Sequence, residues 1–155
     1  MQNQIKHIAI FSLAYYPFES GAEIAVREYA RRLPFDFSCF TKRFNSNWPD
    51  QEVVAGVRII RLGRGSKGGN YYGKIGQKFL YVWRAWRAAE RLHKQQTFDA
   101  VWAIMAAYGG LAALLFKIRH PQVPLLLTLQ EGDSERHILG RVGPFYFFWR
   151  KIFKK

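Results

Sequence analysis

The chain has 155 residues with 24 Lys+Arg against 11 Asp+Glu, a formal charge of +13. That length allows one domain with a full core but is short for a two-domain enzyme, and the charge favours polyanions such as nucleic acid, anionic lipid or phosphorylated ligands. A content of 49% hydrophobic and 17% aromatic residues excludes disorder, and the single Cys39 excludes an internal disulfide, which makes a reducing compartment the simpler assumption.

Lys6 and His7 interrupt the opening residues, so no secretory leader is read there, and no apolar run approaches the length of a spanning helix. Residues 5–11 are short, apolar and rich in β-branched side chains, which predicts a strand covered on both faces. A loop punctuated by Pro17 and Gly21 leads to a helix over 22–33, whose positions 22, 25, 26, 29, 30 and 33 keep one apolar face and which Pro34 stops. Strand, glycine-bearing loop and helix amino terminus are the opening of a nucleotide-handling α/β domain.

Residues 35–41 predict a second strand, and Trp48-Pro49-Asp50 a turn within the polar stretch 42–51. The segment 53–62 contains a third strand, best placed at Val57–Leu62, near an edge or an exposed end because Arg58 and Arg61 fall on opposite faces. Residues 63–73 hold five glycines and read as a flexible connection; no Gly-Lys-Ser/Thr pattern makes them a phosphate loop. A long helix follows over 74–96. Ile75, Phe79, Val82, Trp83, Trp86, Ala89 and Leu92 form its apolar stripe, and Lys78, Arg84, Arg87, Arg91 and Lys94 populate the rest.

Residues 98–105 predict a fourth strand, Tyr108-Gly109-Gly110 admits a helix over 111–119, and 125–130 reads as a fifth, fully apolar strand. Strands alternating with helices at this spacing imply right-handed βαβ units in a parallel sheet, with ligands at the carboxyl ends of the strands. Three loops then share one rim: 15–21, 106–110 and 130–133. The four histidines, His7, His93, His120 and His137, lack ligand spacing, so no metal is expected. The segment 138–155 mixes aromatic and apolar residues with basic ones, is too aromatic for a free tail, and reads as ending ahead of an expected sixth strand and closing helices.

Three separated motifs resemble one family. Tyr16-Pro17 followed by Ser20-Gly21-Ala22-Glu23 and a helix ending Ala30-Arg31-Arg32-Leu33 is similar to the amino-terminal signature of family 4 glycosyltransferases. So are Phe98-Asp99-Ala100-Val101-Trp102 leading to Gly109-Gly110-Leu111-Ala112-Ala113, and Leu127-Thr128-Leu129-Gln130-Glu131-Gly132-Asp133. The resemblance implies the acceptor-binding half of a GT-B fold: a Rossmann-like three-layer α/β/α domain with a mainly parallel sheet over residues 1–140, and a basic aromatic helical segment over 141–155 leading towards a second, donor-binding domain. It also implies retaining transfer of a sugar from a nucleotide sugar to a lipid-linked or polysaccharide acceptor, with no metal or other cofactor, and no turnover by this chain alone.

On that reading Ser20, Gly21, Ala22 and Glu23 form a donor-phosphate loop, because amides at a helix amino terminus can stabilise a departing diphosphate and Gly21 permits close approach. Glu23 serves equally as a first-turn acid favoured by the helix dipole. Tyr108, Gly109, Gly110, Gln130, Glu131 and Asp133 form the acceptor-side rim. Gln130 stands where the family commonly has histidine and cannot act as a base; Asp133 either positions the acceptor or caps the next helix. No catalytic residue is assigned. Lys78, Arg84, Arg87 and Arg91 form a solvated basic face on a helix packed against the sheet or, with Phe148, Trp149, Arg150 and Lys151, meet an anionic membrane or the missing domain, on this chain or a partner chain. The setting expected is the cytoplasm, peripheral at the inner face of the cell membrane. A non-catalytic basic domain binding membrane or nucleic acid is the alternative, although no nucleic-acid recognition motif appears and the basic residues spread over many elements. A dinucleotide fingerprint is absent, since residues 12–23 hold one glycine.

Overall fold

The structure, a computed structural model, describes residues 6–18, 20–68 and 75–129. In chain order the elements are β1 (Lys6–Phe11), α1 (Gly21–Arg32), β2 (Phe35–Lys42), β3 (Gln51–Val54), β4 (Val57–Leu62), α2 (Ile75–Gln95), β5 (Ala100–Ile104), α3 (Tyr108–Arg119) and β6 (Leu125–Thr128). The strands form one sheet in the order β3-β4-β2-β1-β5-β6, parallel except for β3, which pairs antiparallel with β4. This is the Rossmann-like α/β architecture expected. The expected tail, 138–155, and the rim residues Gln130, Glu131 and Asp133 lie outside the described residues, as do Phe148, Trp149, Arg150 and Lys151.

Alternation along the strands splits the core into two layers. On one face Ile10, Phe37, Cys39, Val57, Ile59 and Ile104 meet Ala22, Val26 and Ala30 of α1. On the other, Ala9, Phe11, Phe40, Val101 and Ala103 meet α2 and α3 through Tyr81, Val82, Ala85, Ala89, Ala112 and Phe116. Right-handed crossovers dictate this division: the chain steps one way through α1, then returns past β1 through α2 and α3 on the opposite face.

The structure corrects several expectations. A separate strand β3 precedes β4, turned by Ala55 (φ 51°) and Gly56 (φ 82°). The helix α3 begins at Tyr108, so Gly109 and Gly110 lie inside its first turn and not before it. The strand expected over 125–130 is β6, four residues long and, among the described residues, at the sheet's edge, with Leu126 59% exposed. In α1 only Ala22, Val26 and Ala30 are buried; Ala25, Tyr29 and the C-cap Leu33 are exposed along a groove beside the sheet, where the Tyr29 ring stands 6.0 Å from that of Trp102. In α2 the buried arc is Tyr81, Val82, Ala85 and Ala89, with Trp86 and Leu92 half-buried, while Phe79 and Trp83 are exposed. Tyr81 decides that rotation: its hydroxyl donates to the carbonyl of Phe40 at 3.0 Å, which makes a tyrosine acceptable at the centre of the layer. Arg61 is buried rather than solvated: its guanidinium donates to Pro49 O (3.1 Å) and Tyr16 O (2.8 Å) and pairs with Glu52.

Candidate functional site

Strand order reverses between β1 and β5, and the carboxyl ends of those strands diverge there. That is where open α/β sheets bind ligands. A cleft of about 370 Å³ occupies this position, lined by Ser12, Leu13, Ala14, Glu23, Lys78, Ile104, Met105, Ala107, Tyr108 and Gly109.

The floor is set by backbone geometry. Met105 takes a left-handed φ of 66° at the end of β5, a strained conformation for a residue with a Cβ. Its carbonyl accepts from Gly110 N at 3.0 Å and its N–H donates to Thr128 O at 2.9 Å, so the turn is held from both sides. Gly109 is required by contact: a Cβ there would stand 2.6 Å from Ile104 O and 2.7 Å from Phe11 O. These two glycines therefore draw the amino terminus of α3 down onto the strand ends. Ala107 holds the cap position of α3 and has no polar side chain to offer; with Gly110 N taken by Met105 O, the amides of Tyr108 and Gly109 are left for a ligand at the cleft.

The walls carry the chemistry. Lys78 rises from α2 with its Nζ 5.6 Å from the centre of the Tyr108 ring, and Phe79 meets the same ring edge-on at 5.6 Å. No carboxylate among the described residues forms an ion pair with Lys78. Glu23 enters from the first turn of α1 and closes a capping box: its carboxylate accepts from Ser20 N at 2.9 Å and from the Ser20 hydroxyl. Ser12 is buried and donates to Ala14 O at 2.6 Å, which fixes the loop after β1. The arrangement offers a cation, helix amides and a tyrosine hydroxyl to an anionic or hydroxyl-bearing ligand.

Of the residues expected at the phosphate loop, Glu23 reaches the cleft. Ser20 is the exposed cap of α1, and Gly21 and Ala22 line a separate groove. A Cβ on Gly21 would meet nothing within 4 Å, so the fold itself does not require glycine there. Of the acceptor-side rim, Tyr108 and Gly109 reach the cleft, and Gly110 is buried behind them. Lys78, read from the sequence as an outer-surface residue, is a cleft residue; Arg84 is half-buried and Arg87 and Arg91 are exposed on α2. Sequence reasoning missed Ser12 and Met105, whose only signal was position, one residue past a strand end; Ala107 fell within the expected rim loop 106–110.

The separate groove, about 460 Å³ and apolar, lies between α1 and one face of β5 and β6, walled by Ala25, Tyr29, Trp102 and Leu126. It is larger than the cleft, but its lining holds no carboxylate, imidazole or ammonium group, so the chemistry points to the cleft. His93 and His120, distant in sequence, meet at 4.5 Å between ring centres, with Glu90 3.0 Å from His120 Nε2. Among the described residues no group of three His, Cys, Asp or Glu is disposed to hold a metal ion, and no helix is long and apolar enough to cross a membrane.

A comparison with curated protein sequences finds no match. Among solved structures the chain is similar to sucrose-phosphate synthase from Thermosynechococcus elongatus in two structures. One superposes with a TM-score of 0.57 at 20% identity, covering 84% of this chain and 67% of that one. The other gives 0.66 at 17% identity, covering 94% of this chain and 39% of that one. At such identities the likeness shows the fold. The family described as glycosyl transferase 4-like domain matches residues 20–155. The chain therefore belongs to the glycosyl transferase 4-like domain family.

Proposed function

We propose that this domain is the acceptor-side half of a retaining glycosyltransferase that moves a sugar from a nucleotide sugar to a lipid-linked or polysaccharide acceptor. The observation that carries this reading is the cleft at the strand switch, where Lys78, Tyr108 and the uncapped amino terminus of α3 converge. In such a transfer the acceptor oxygen bonds to the anomeric carbon while the bond to the diphosphate breaks with its electron pair, and the acceptor's proton leaves with the diphosphate. Charge develops on the diphosphate, and a cation and helix amides near it lower the barrier. A donor-binding domain, on this chain's continuation or on a partner chain, supplies the opposite wall; that the chain spans 39% of one sucrose-phosphate synthase chain supports this.

Membrane proximity has its own support. Phe79, Leu80 and Trp83 are 36%, 42% and 53% exposed on the helix that carries Arg84, Arg87 and Arg91. Exposed aromatic side chains flanked by cations suit the interface of an anionic membrane.

The test is genetic and chemical together. Deleting the coding region should remove a labelled glycolipid or polysaccharide product, and the full coding region should restore it while the Lys78→Gln, Tyr108→Phe double variant does not. Unchanged products after deletion, or full restoration by the double variant, would remove the reading. The 155-residue chain alone should release no nucleoside diphosphate from nucleotide sugars; release would overturn its assignment as half an enzyme.

A further inference from the structure

Beside the cleft, at the carboxyl ends of β2 and β4, a second pocket of about 200 Å³ is lined by Lys42, Leu62, Gly63, Arg64, Gln77, Leu80, Tyr81 and Arg84. Lys42 and Leu62 are register partners that close the parallel pair, and α2 forms the roof. Three of the eight lining residues are cations and none is an acid.

This concentration of charge is built, not incidental to a basic chain. Elsewhere in the described residues carboxylates are spent on particular cations: Glu28 on Arg31 and Arg32, Asp50 on Arg43, Glu52 on Arg61, Glu90 on Arg119. None of them pairs with Lys42, Arg64 or Arg84. Lys42 is half-buried and its Nζ rests 4.3 Å from the centre of the Phe44 ring, an aromatic partner where a carboxylate would neutralise it. Arg84 is seated by Gly63, whose φ is 90°: a Cβ there would stand 2.6 Å from Arg84 Nη1, so glycine makes the room that lets the guanidinium lie against the turn. Burial, and secondarily the charge of Lys78, lowers the pKa of Lys42, the response of a partly desolvated ammonium group with one like charge nearby.

We propose that this pocket is an anion site that takes a single phosphate group, from a soluble phosphate ester or from a lipid headgroup. A guanidinium fork and an ammonium point charge are complementary to phosphate oxygens, and the concave shape admits one such group, in contrast to the continuous stripe a nucleic acid backbone needs. The proposal stands apart from glycosyl transfer at the neighbouring cleft: it concerns binding, and its test reads binding alone.

The experiment is calorimetric titration of the full protein with inorganic phosphate in about 0.15 M salt, where exposed charges are largely screened beyond about 8 Å. Saturable binding is expected, weakened about tenfold or more in Lys42→Gln and in Arg84→Gln, since each removes a charge-assisted contact. It should be unchanged within about twofold in Arg58→Gln and Lys94→Gln, which remove the same charge from exposed positions outside the pocket. Competition by phosphatidylglycerol vesicles, but not by phosphatidylcholine vesicles, identifies a lipid headgroup; competition by glycerol 3-phosphate alone identifies a soluble ester. Absence of saturable phosphate binding, equal loss in the two control variants, or binding of poly(U) that phosphate does not compete with would each overturn the proposal. Circular dichroism melts of all four variants separate lost binding from lost folding.

Discussion

The α-carbon of Gly109 lies so close to the carbonyl of Phe11 that a Cβ on it would stand 2.7 Å from that oxygen, and 2.6 Å from the carbonyl of Ile104. One contact thus joins the amino terminus of α3 to the ends of β1 and β5, the two strands that open the cleft. Both obstacles are backbone atoms in paired strands, so neither can yield cheaply. Gly109→Ala should cost about 1–3 kcal/mol in urea unfolding, the range for overpacking a filled interior. Gly21→Ala, where a Cβ meets nothing within 4 Å, should stay within about 0.5 kcal/mol. Equal costs for the two would show that the close approach is not what fixes Gly109.

Arg61 makes the complementary case for a buried charge. Its side chain is 1% exposed and serves Pro49, Tyr16 and Glu52 at once, tying the loop after β1 to the β3–β4 hairpin. Arg61→Met leaves a carboxylate and two carbonyls without their donor and should cost on the order of 3 kcal/mol. Glu52→Gln should cost less, about 1 kcal/mol, because Glu52 is 30% exposed and Arg61 keeps its two carbonyl partners. A larger loss for Glu52→Gln than for Arg61→Met would contradict this hierarchy.

Much of the fold was legible because period and punctuation carry it: the strand at Lys6–Phe11, the stop at Pro34 and the basic aromatic helix all came through within a residue or two. What sequence could not supply was the rotation of α2. Trp83 and Tyr81 lie two residues apart on the same helix, and only the carbonyl of Phe40 waiting opposite Tyr81 decides which is buried. The same limit applies to the site. Tyr108, Gly109 and Glu23 stood in motifs, but Lys78 reached the cleft through the packing of α2 across the sheet, which no local pattern encodes. Gly109 and Gly110 were legible as rim residues; what the structure adds is that they also serve backbone approach within a helix.

Two histidines make stability depend on pH. His93 accepts a hydrogen bond from Phe98 N through Nδ1 at 2.9 Å. Burial, then the neighbouring His120, lowers its pKa against a smaller opposing pull from Glu90. Burial also lowers that of His7, opposed chiefly by Asp36. Both start from an ordinary value of 6.5. Below it the unfolded chain takes up protons that the folded chain refuses, so stability falls as pH drops from about 6.5 and levels off once the depressed folded values are passed. Urea unfolding between about pH 7.5 and 5.5 should show this decline, and His93→Asn, which keeps an acceptor but cannot titrate there, should flatten it. An unchanged slope in that variant would exclude His93 as a source.

Lys78 is the cleft's cation, and its charge rather than its shape should matter for transfer. Lys78→Arg keeps the charge, while Lys78→Gln removes it; the second should lower the rate of transfer by the assembled enzyme about a hundredfold, the scale of losing one preorganised electrostatic contact. Rate at saturating substrate should fall more than apparent affinity if the contact strengthens as charge builds on the diphosphate. An affinity loss with an unchanged maximal rate would place Lys78 in ground-state binding instead.

Trp83 tests the membrane arm separately. It is 53% exposed on α2, with Leu80 at 42%, and neither contributes to the buried arc of Tyr81, Val82, Ala85 and Ala89. Trp83→Ser should therefore leave the unfolding midpoint nearly unchanged, as expected for surface substitutions. Flotation with phosphatidylglycerol vesicles should fall severalfold, because an indole at the interface adds apolar contact that the helix's cations cannot replace. Salt should weaken the binding of wild type and variant alike, through Arg87 and Arg91, which stay in place in both. Flotation unchanged by Trp83→Ser yet abolished by salt would reduce the contact to charge alone and turn the exposed indole towards a protein partner.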